Sequence, residues 1–143
     1  IKINSSSNEI EILSNDNFSA VDISTKPHPG FPTDLQAQFM SLMCLANGKS
    51  VIQENIFENR FQHIPELKKM GASIIVNNNK AFIEGKKNLL PARVKATDLR
   101  ASMCLILACL ATQGKSEIFE LEHLKRGYED IENKLSKIGA EIN

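Results

Sequence analysis

FPTDLQAQF at residues 31–39 and KATDLRASM at residues 95–103 are two versions of one phrase. Thr-Asp-Leu opens an apolar run both times, and the second version carries an arginine at its next position. Other pairs keep nearly the same spacing. Asp34 to Asp98 is 64 residues, Gly48 to Gly114 and Arg60 to Arg126 are 66, and Gly71 to Gly139 is 68. The chain is a tandem duplication with a period near 66, far longer than the repeat of a solenoid.

Each copy predicts the same series of elements. An apolar helix follows Thr-Asp-Leu, over 34–46 and again over 98–111, with Gly48 and Gly114 expected as the glycines that end it. The short strands SVIQE and SEIFE come next. A second helix is read from the apolar spacing of FQHIPELKKM and YEDIENKLSKI, closed by Gly71 and Gly139. ASIIVNNNKAFIEG reads as a hairpin turning at 77–79. Upstream, IKIN, EIEIL and VDIST read as strands of a preceding copy. The implied division is 1–30 for the end of that copy, 31–94 for one full copy, and 95–143 for a copy cut short. The repeated β-α-β-α-β-β order places the chain in the α/β class with mixed sheets.

A length of 143 residues suits one ordinary domain. The 17 basic and 17 acidic residues cancel, which argues against sequence-blind binding to nucleic acid or to an anionic membrane surface. Cys44, Cys104 and Cys109 are odd in number and lie in apolar runs, so they read as buried free thiols of a reducing compartment. Their spacing, and the scatter of His28, His63 and His123, fits no metal site. The amino end is polar and is not expected to be a secretory signal. The longest apolar run, 101–111, falls short of the roughly 20 residues that span a bilayer. The start at Ile1, without a methionine, suggests a piece of a longer chain.

Chemistry is expected at the helix starts. Thr33 with Gln36 spells a capping box, and an acid in the first turn suits the positive end of the helix dipole. Arginine at such a place opposes that dipole. Arg60, Arg100 and Arg126 all stand at or near expected helix starts, a pattern that suits an external anion held by free N–H groups and guanidinium forks. Three readings stay open on residues alone. The arginines bind a small anion in an enzyme, they bind it in a module without catalysis, or they pair with neighbours such as Glu58 and Asp98 on a plain scaffold. The GKS triplets lack the longer glycine-rich loop of a phosphate cradle and read as turns.

The runs PHPGFPTDLQAQF, ENIFENRFQHIPELKKMGA, ATDLRASMCLILA and LKRGYEDIENKLSKIGAEI together resemble the carboxy-terminal part of the UDP-N-acetylglucosamine 1-carboxyvinyltransferases. The resemblance covers essentially the whole chain. It implies a two-domain enolpyruvyl transferase built from βαβαββ units in an inverse α/β barrel, of which this chain is a partial domain. The implied reaction moves the enolpyruvyl group of phosphoenolpyruvate to the 3′-hydroxyl of UDP-N-acetylglucosamine, at the start of peptidoglycan synthesis, in the cytoplasm and without a cofactor. On this resemblance Asp34 is the general base. The Ile56 backbone and Phe57 contact the UDP-sugar. Arg60, Arg100 and Arg126 surround phosphoenolpyruvate, and Asp98 is a supporting acid. The resemblance also puts the family's catalytic cysteine on the other domain, so this chain alone is expected to be inactive.

Overall fold

The computed structural model describes residues 2–13 and 17–142. The chain opens with an antiparallel hairpin of β1 (Lys2–Ser5) and β2 (Ile10–Leu13). The first copy then runs β3 (Ile23–Ser24), a 3-10 turn at Thr33–Leu35, α1 (Gln36–Met43), β4 (Lys49–Gln53), α2 (Ile64–Lys69), β5 (Ser73–Asn77) and β6 (Lys80–Glu84). The second copy runs β7 (Arg93–Lys95), α3 (Leu99–Leu110), β8 (Glu117–Phe119), α4 (Glu122–Gly127) and α5 (Ile131–Lys137). The β-α-β-α-β-β order is complete in the first copy. No closed barrel forms among the described residues.

β3, β4, β6 and β5 lie side by side in one sheet. β3 pairs parallel with β4, while β6 pairs antiparallel with both β4 and β5. β7 and β8 make the equivalent parallel pair of the second copy. VDIST was expected in a preceding copy, but its Ile23 lies opposite Ile52 of β4. A parallel pair needs a crossover, and α1 supplies it.

Alternation decides which sheet face is covered. Ile52, Ile74, Ala81 and Ile83 point inward and are buried, while Ile75 and Phe82, opposite each other in the register, stay exposed. Helices cover the inner face. α1 packs on α3, with Met40, Cys44, Cys104 and Leu105 all fully enclosed. α2 begins with Pro65 in its first turn, where a missing N–H costs nothing. Its Glu66 accepts from the Lys95 amide at 2.8 Å and so fastens the first copy to β7 of the second.

The four repeat glycines divide into two kinds. Gly71 and Gly139 follow the last residues of α2 and α5 at positive φ, 87° and 99°, as a helix-ending glycine should. Gly48 and Gly114 do not end helices. α1 closes at Cys44 and α3 at Ala111, and these glycines form the turns into β4 and β8 instead.

Candidate functional site

The amino ends of α1 and α3 arrive at the same mouth. Asp34 and Arg100, 66 residues apart, meet there. Arg100 Nε donates to Asp34 Oδ1 at 2.6 Å and Nη2 lies 2.5 Å from the same oxygen. Asp34 Oδ2 has no hydrogen-bond partner among the described residues. The pair is open to solvent, with the Asp34 side chain 66% exposed. Each copy therefore contributes one charge.

Asp98 does something different from its repeat mate. It sits at the N-cap of α3 in extended backbone, and its Oδ1 accepts from the amides of Arg100 at 2.8 Å and Ala101 at 3.1 Å. Thr33 and Gln36 make no capping box. The Thr33 hydroxyl donates instead to Glu54 Oε2 at 2.8 Å, and α1 has no side-chain cap. The hydroxyl is held by the charge-assisted bond it donates to a buried carboxylate, so the local motif gives way to a tertiary one.

Behind the ion pair lies a cavity of about 280 Å³. Thr33, Gln36 and Ala37 line it from one copy, Asp98, Arg100 and Ala101 from the other, and the 58–63 turn closes it with Arg60 and His63. Arg60 forms no ion pair among the described residues. Its guanidinium stacks 4.2 Å from the centroid of Phe57, an arrangement that orients the group while leaving its donors available. A second, wider concavity of about 870 Å³ opens on the other side of the same turn. Ile56 and Phe57 line it with Asn78 and Asn79 of the β5–β6 turn. Arg60 and Glu58 border both spaces.

Arg126 departs from expectation. It lies in the last turn of α4 and is exposed, rather than standing at a helix start. It lines neither concavity. The next residue, Gly127, packs against Leu99 at the start of α3; an added Cβ would stand 2.6 Å from Leu99 Cδ1. The helix EHLKRG is six residues long and carries His123.

Two buried side chains, one lining each concavity, carried no sequence signal. His63 is 2% exposed, with Nε2 3.2 Å from Met40 Sδ. Burial drives its pKa down to about 4, partly opposed by the Asp98 charge, so the ring is neutral near pH 7. Glu54 is 3% exposed and makes no ion pair among the described residues. Both are set by contacts with residues far along the chain.

The thiols stand apart from this chemistry. Cys44 and Cys104 are buried, and burial pushes Cys44 up to about 12 and Cys104 well above its ordinary value. Cys109, expected to be buried, is only partly so, and desolvation raises it too. None is a thiolate near pH 7. The described residues hold no cluster of His, Cys, Asp and Glu fit for a metal ion. None of their helices is long and apolar enough to cross a membrane.

The starts of α1 and α3, one from each copy, thus bring a guanidinium and a carboxylate together at one mouth. Residues 1–135 match the family of EPSP synthase (3-phosphoshikimate 1-carboxyvinyltransferase), and the chain belongs to this enolpyruvyl transferase family. It is 56% identical over 141 residues to the UDP-N-acetylglucosamine 1-carboxyvinyltransferase of Pelagibacter ubique, covering 99% of this chain and 34% of that one. It is 60% identical over 123 residues to the enzyme of that name from Trichlorobacter lovleyi, covering 86% of this chain and 29% of that one. The enolpyruvyl transferase NikO from Streptomyces tendae superposes on 99% of the chain with a TM-score of 0.88 and 29% identity, using 33% of its own length. EPSP synthase from Acinetobacter baumannii, at TM-score 0.63 and 16% identity over 87% of this chain and 28% of its own, shares the fold. The chain spans about a third of the length of the curated relatives it matches.

Proposed function

We propose that this chain is the part of a UDP-N-acetylglucosamine 1-carboxyvinyltransferase that supplies the general base and part of the phosphoenolpyruvate cradle. The observation that carries this reading is the Asp34–Arg100 pair at a mouth lined by both copies, with Arg60 unpaired beside it. Identities of 52–60% to enzymes of that name support it.

In this reading Asp34 Oδ2, the oxygen that Arg100 leaves free, takes the proton of the sugar 3′-hydroxyl. The hydroxyl oxygen adds to C2 of phosphoenolpyruvate while C3 gains a proton from an acid of the remaining catalytic domain. The resulting phospho-ketal then loses phosphate from C2 and returns a proton from C3 to that domain, restoring the double bond. The substrate carboxylate stays negative throughout, and negative charge builds on the phosphate as its bond to C2 breaks. Fixed guanidinium groups at Arg60 and Arg100 stabilise it, and removing one such group costs on the order of 10²–10³ in rate. Ile56 and Phe57 face the sugar, and Asp98 fixes the start of the helix that carries Arg100. Arg126 joins the cradle from α4 only after its side chain turns toward the mouth. The remaining catalytic domain is the required partner, and the setting is the cytoplasm.

The test joins this chain to the remaining two thirds of a relative and follows phosphate release from phosphoenolpyruvate and UDP-N-acetylglucosamine. Release that depends on both substrates, and that falls at least about a hundredfold in Asp34→Asn, is expected. No release from the joined enzyme overturns the reading. Calorimetric binding of phosphoenolpyruvate to the chain alone, lost in Arg60→Ala, without turnover in the joined enzyme, would point instead to an anion-binding module.

A further inference from the structure

Burying a carboxylate is costly unless both its oxygens are hydrogen-bonded. Glu54, which follows β4, meets that condition without a cation. Its Oε1 accepts from the Thr25 hydroxyl at 2.9 Å and from the amides of Ile56 at 2.8 Å and Phe57 at 3.2 Å. Its Oε2 accepts from the Thr33 hydroxyl at 2.8 Å. The Glu54 backbone is fixed as well. Its amide donates to the Asn79 carbonyl at 2.9 Å, and Asn79 Nδ2 donates back at 3.0 Å. One carboxylate therefore ties the residue before Asp34 to the two residues expected to face the sugar.

The second copy shows that the fold does not require this. Glu120 stands 66 residues on from Glu54 and follows β8 in the same way. Its side chain is 52% exposed and pairs with Lys95 Nζ at 2.8 Å. Thr97, the mate of Thr33, has a buried hydroxyl without a partner among the described residues. The same two residue types are present in both copies, and they bond only in the copy whose helix start presents Asp34. In the other copy the aspartate caps its own helix.

We propose that Glu54 is a positioning residue of the site. Its carboxylate holds the Thr33–Asp34 turn and the Ile56–Phe57 backbone at a fixed separation, and so sets where the base meets the sugar hydroxyl. This rests on the roles given to Asp34, Ile56 and Phe57 above.

Hydrogen exchange of the 143-residue chain tests the geometry independently of activity. In Glu54→Ala the amides of Ile56 and Phe57 and the 33–36 segment should exchange about tenfold faster or more, the loss expected for a bond to a charged acceptor. Residues 104–108 inside α3 should keep their wild-type rates. Glu54→Gln retains an acceptor for the two amides and offers an N–H to the Thr33 hydroxyl, so it should recover to within about threefold. In the joined enzyme, Glu54→Ala should raise KM for the UDP-sugar and lower kcat, each about tenfold. KM for phosphoenolpyruvate should stay within about threefold, because no arginine bonds to Glu54, and Glu54→Gln should again recover. Uniform acceleration of every segment in Glu54→Ala, no acceleration at 33–36 and 56–57, or wild-type kcat and KM in the folded variant overturns the proposal. An inactive wild-type joined enzyme overturns the transferase reading alone, and the exchange pattern still decides the role of Glu54.

Discussion

Replacing Arg100 by alanine separates two uses of one side chain. As half of an ion pair with Asp34 it joins the two copies, and as a free guanidinium it would hold substrate. The geometry sets the size of the first use. The Arg100 side chain is 35% exposed and that of Asp34 is 66% exposed, so water screens their attraction. Exposed pairs of this kind couple by about 0.2–1 kcal/mol, against about 3–5 kcal/mol lost on breaking a buried one. The assay is a double-mutant cycle of Asp34→Ala and Arg100→Ala in this chain, read by urea unfolding through far-ultraviolet circular dichroism. A coupling below about 1 kcal/mol is expected. The same Arg100→Ala change in the joined enzyme should cost about 10²–10³ in kcat/KM, or about 3–4 kcal/mol of transition-state stabilisation. A coupling near 3 kcal/mol, with kcat/KM within about fivefold of wild type, would show that the pair is a structural clamp and refute the argument.

Three further outcomes follow from named contacts. Asp98→Ala removes the acceptor of the Arg100 and Ala101 amides and should destabilise the chain by about 1 kcal/mol, up to about 2, in the same unfolding assay; Asp98→Asn should recover most of it. His63 has a folded pKa of about 4 against an ordinary 6.5, so between those values the unfolded chain binds the extra proton. Stability should therefore be fully present above about pH 6.5 and fall by about 3 kcal/mol on acidification toward pH 4, and His63→Gln should flatten that slope in urea titrations at stepped pH. Leu105→Ala empties a fully buried position between α1 and α3 and should cost about 2–5 kcal/mol in thermal or urea unfolding.

The duplication was legible because the two copies repeat their punctuation. Thr-Asp-Leu, the GKS turns and the glycines after α2 and α5 recur at matching places, and each marks a local event that neighbouring residues determine. The hairpin at Asn77–Lys80 and the strands β4 and β8 were legible for the same reason. What sequence did not show depends on distant partners. The Thr33 hydroxyl bonds to a residue 21 positions away, and Glu54 to Thr25, 29 positions away. Neither contact leaves a trace in local spacing. Asp34 and Asp98 look equivalent in sequence, yet one bonds across the copies and the other caps its own helix. α4 escaped notice because a six-residue helix ending in glycine carries little periodicity, and with it went the placement of Arg126.

The charges at the mouth come one from each copy, and the copies meet along α1 and α3. A substitution at Cys44 or Cys104, buried within that seam, would shift one helix against the other and alter the gap between Asp34 and Arg100 without touching either. On the proposed function, ligand affinity at the rim would then gauge how well the two halves are seated, and variation deep in the seam would retune the rim while every residue around it stays the same.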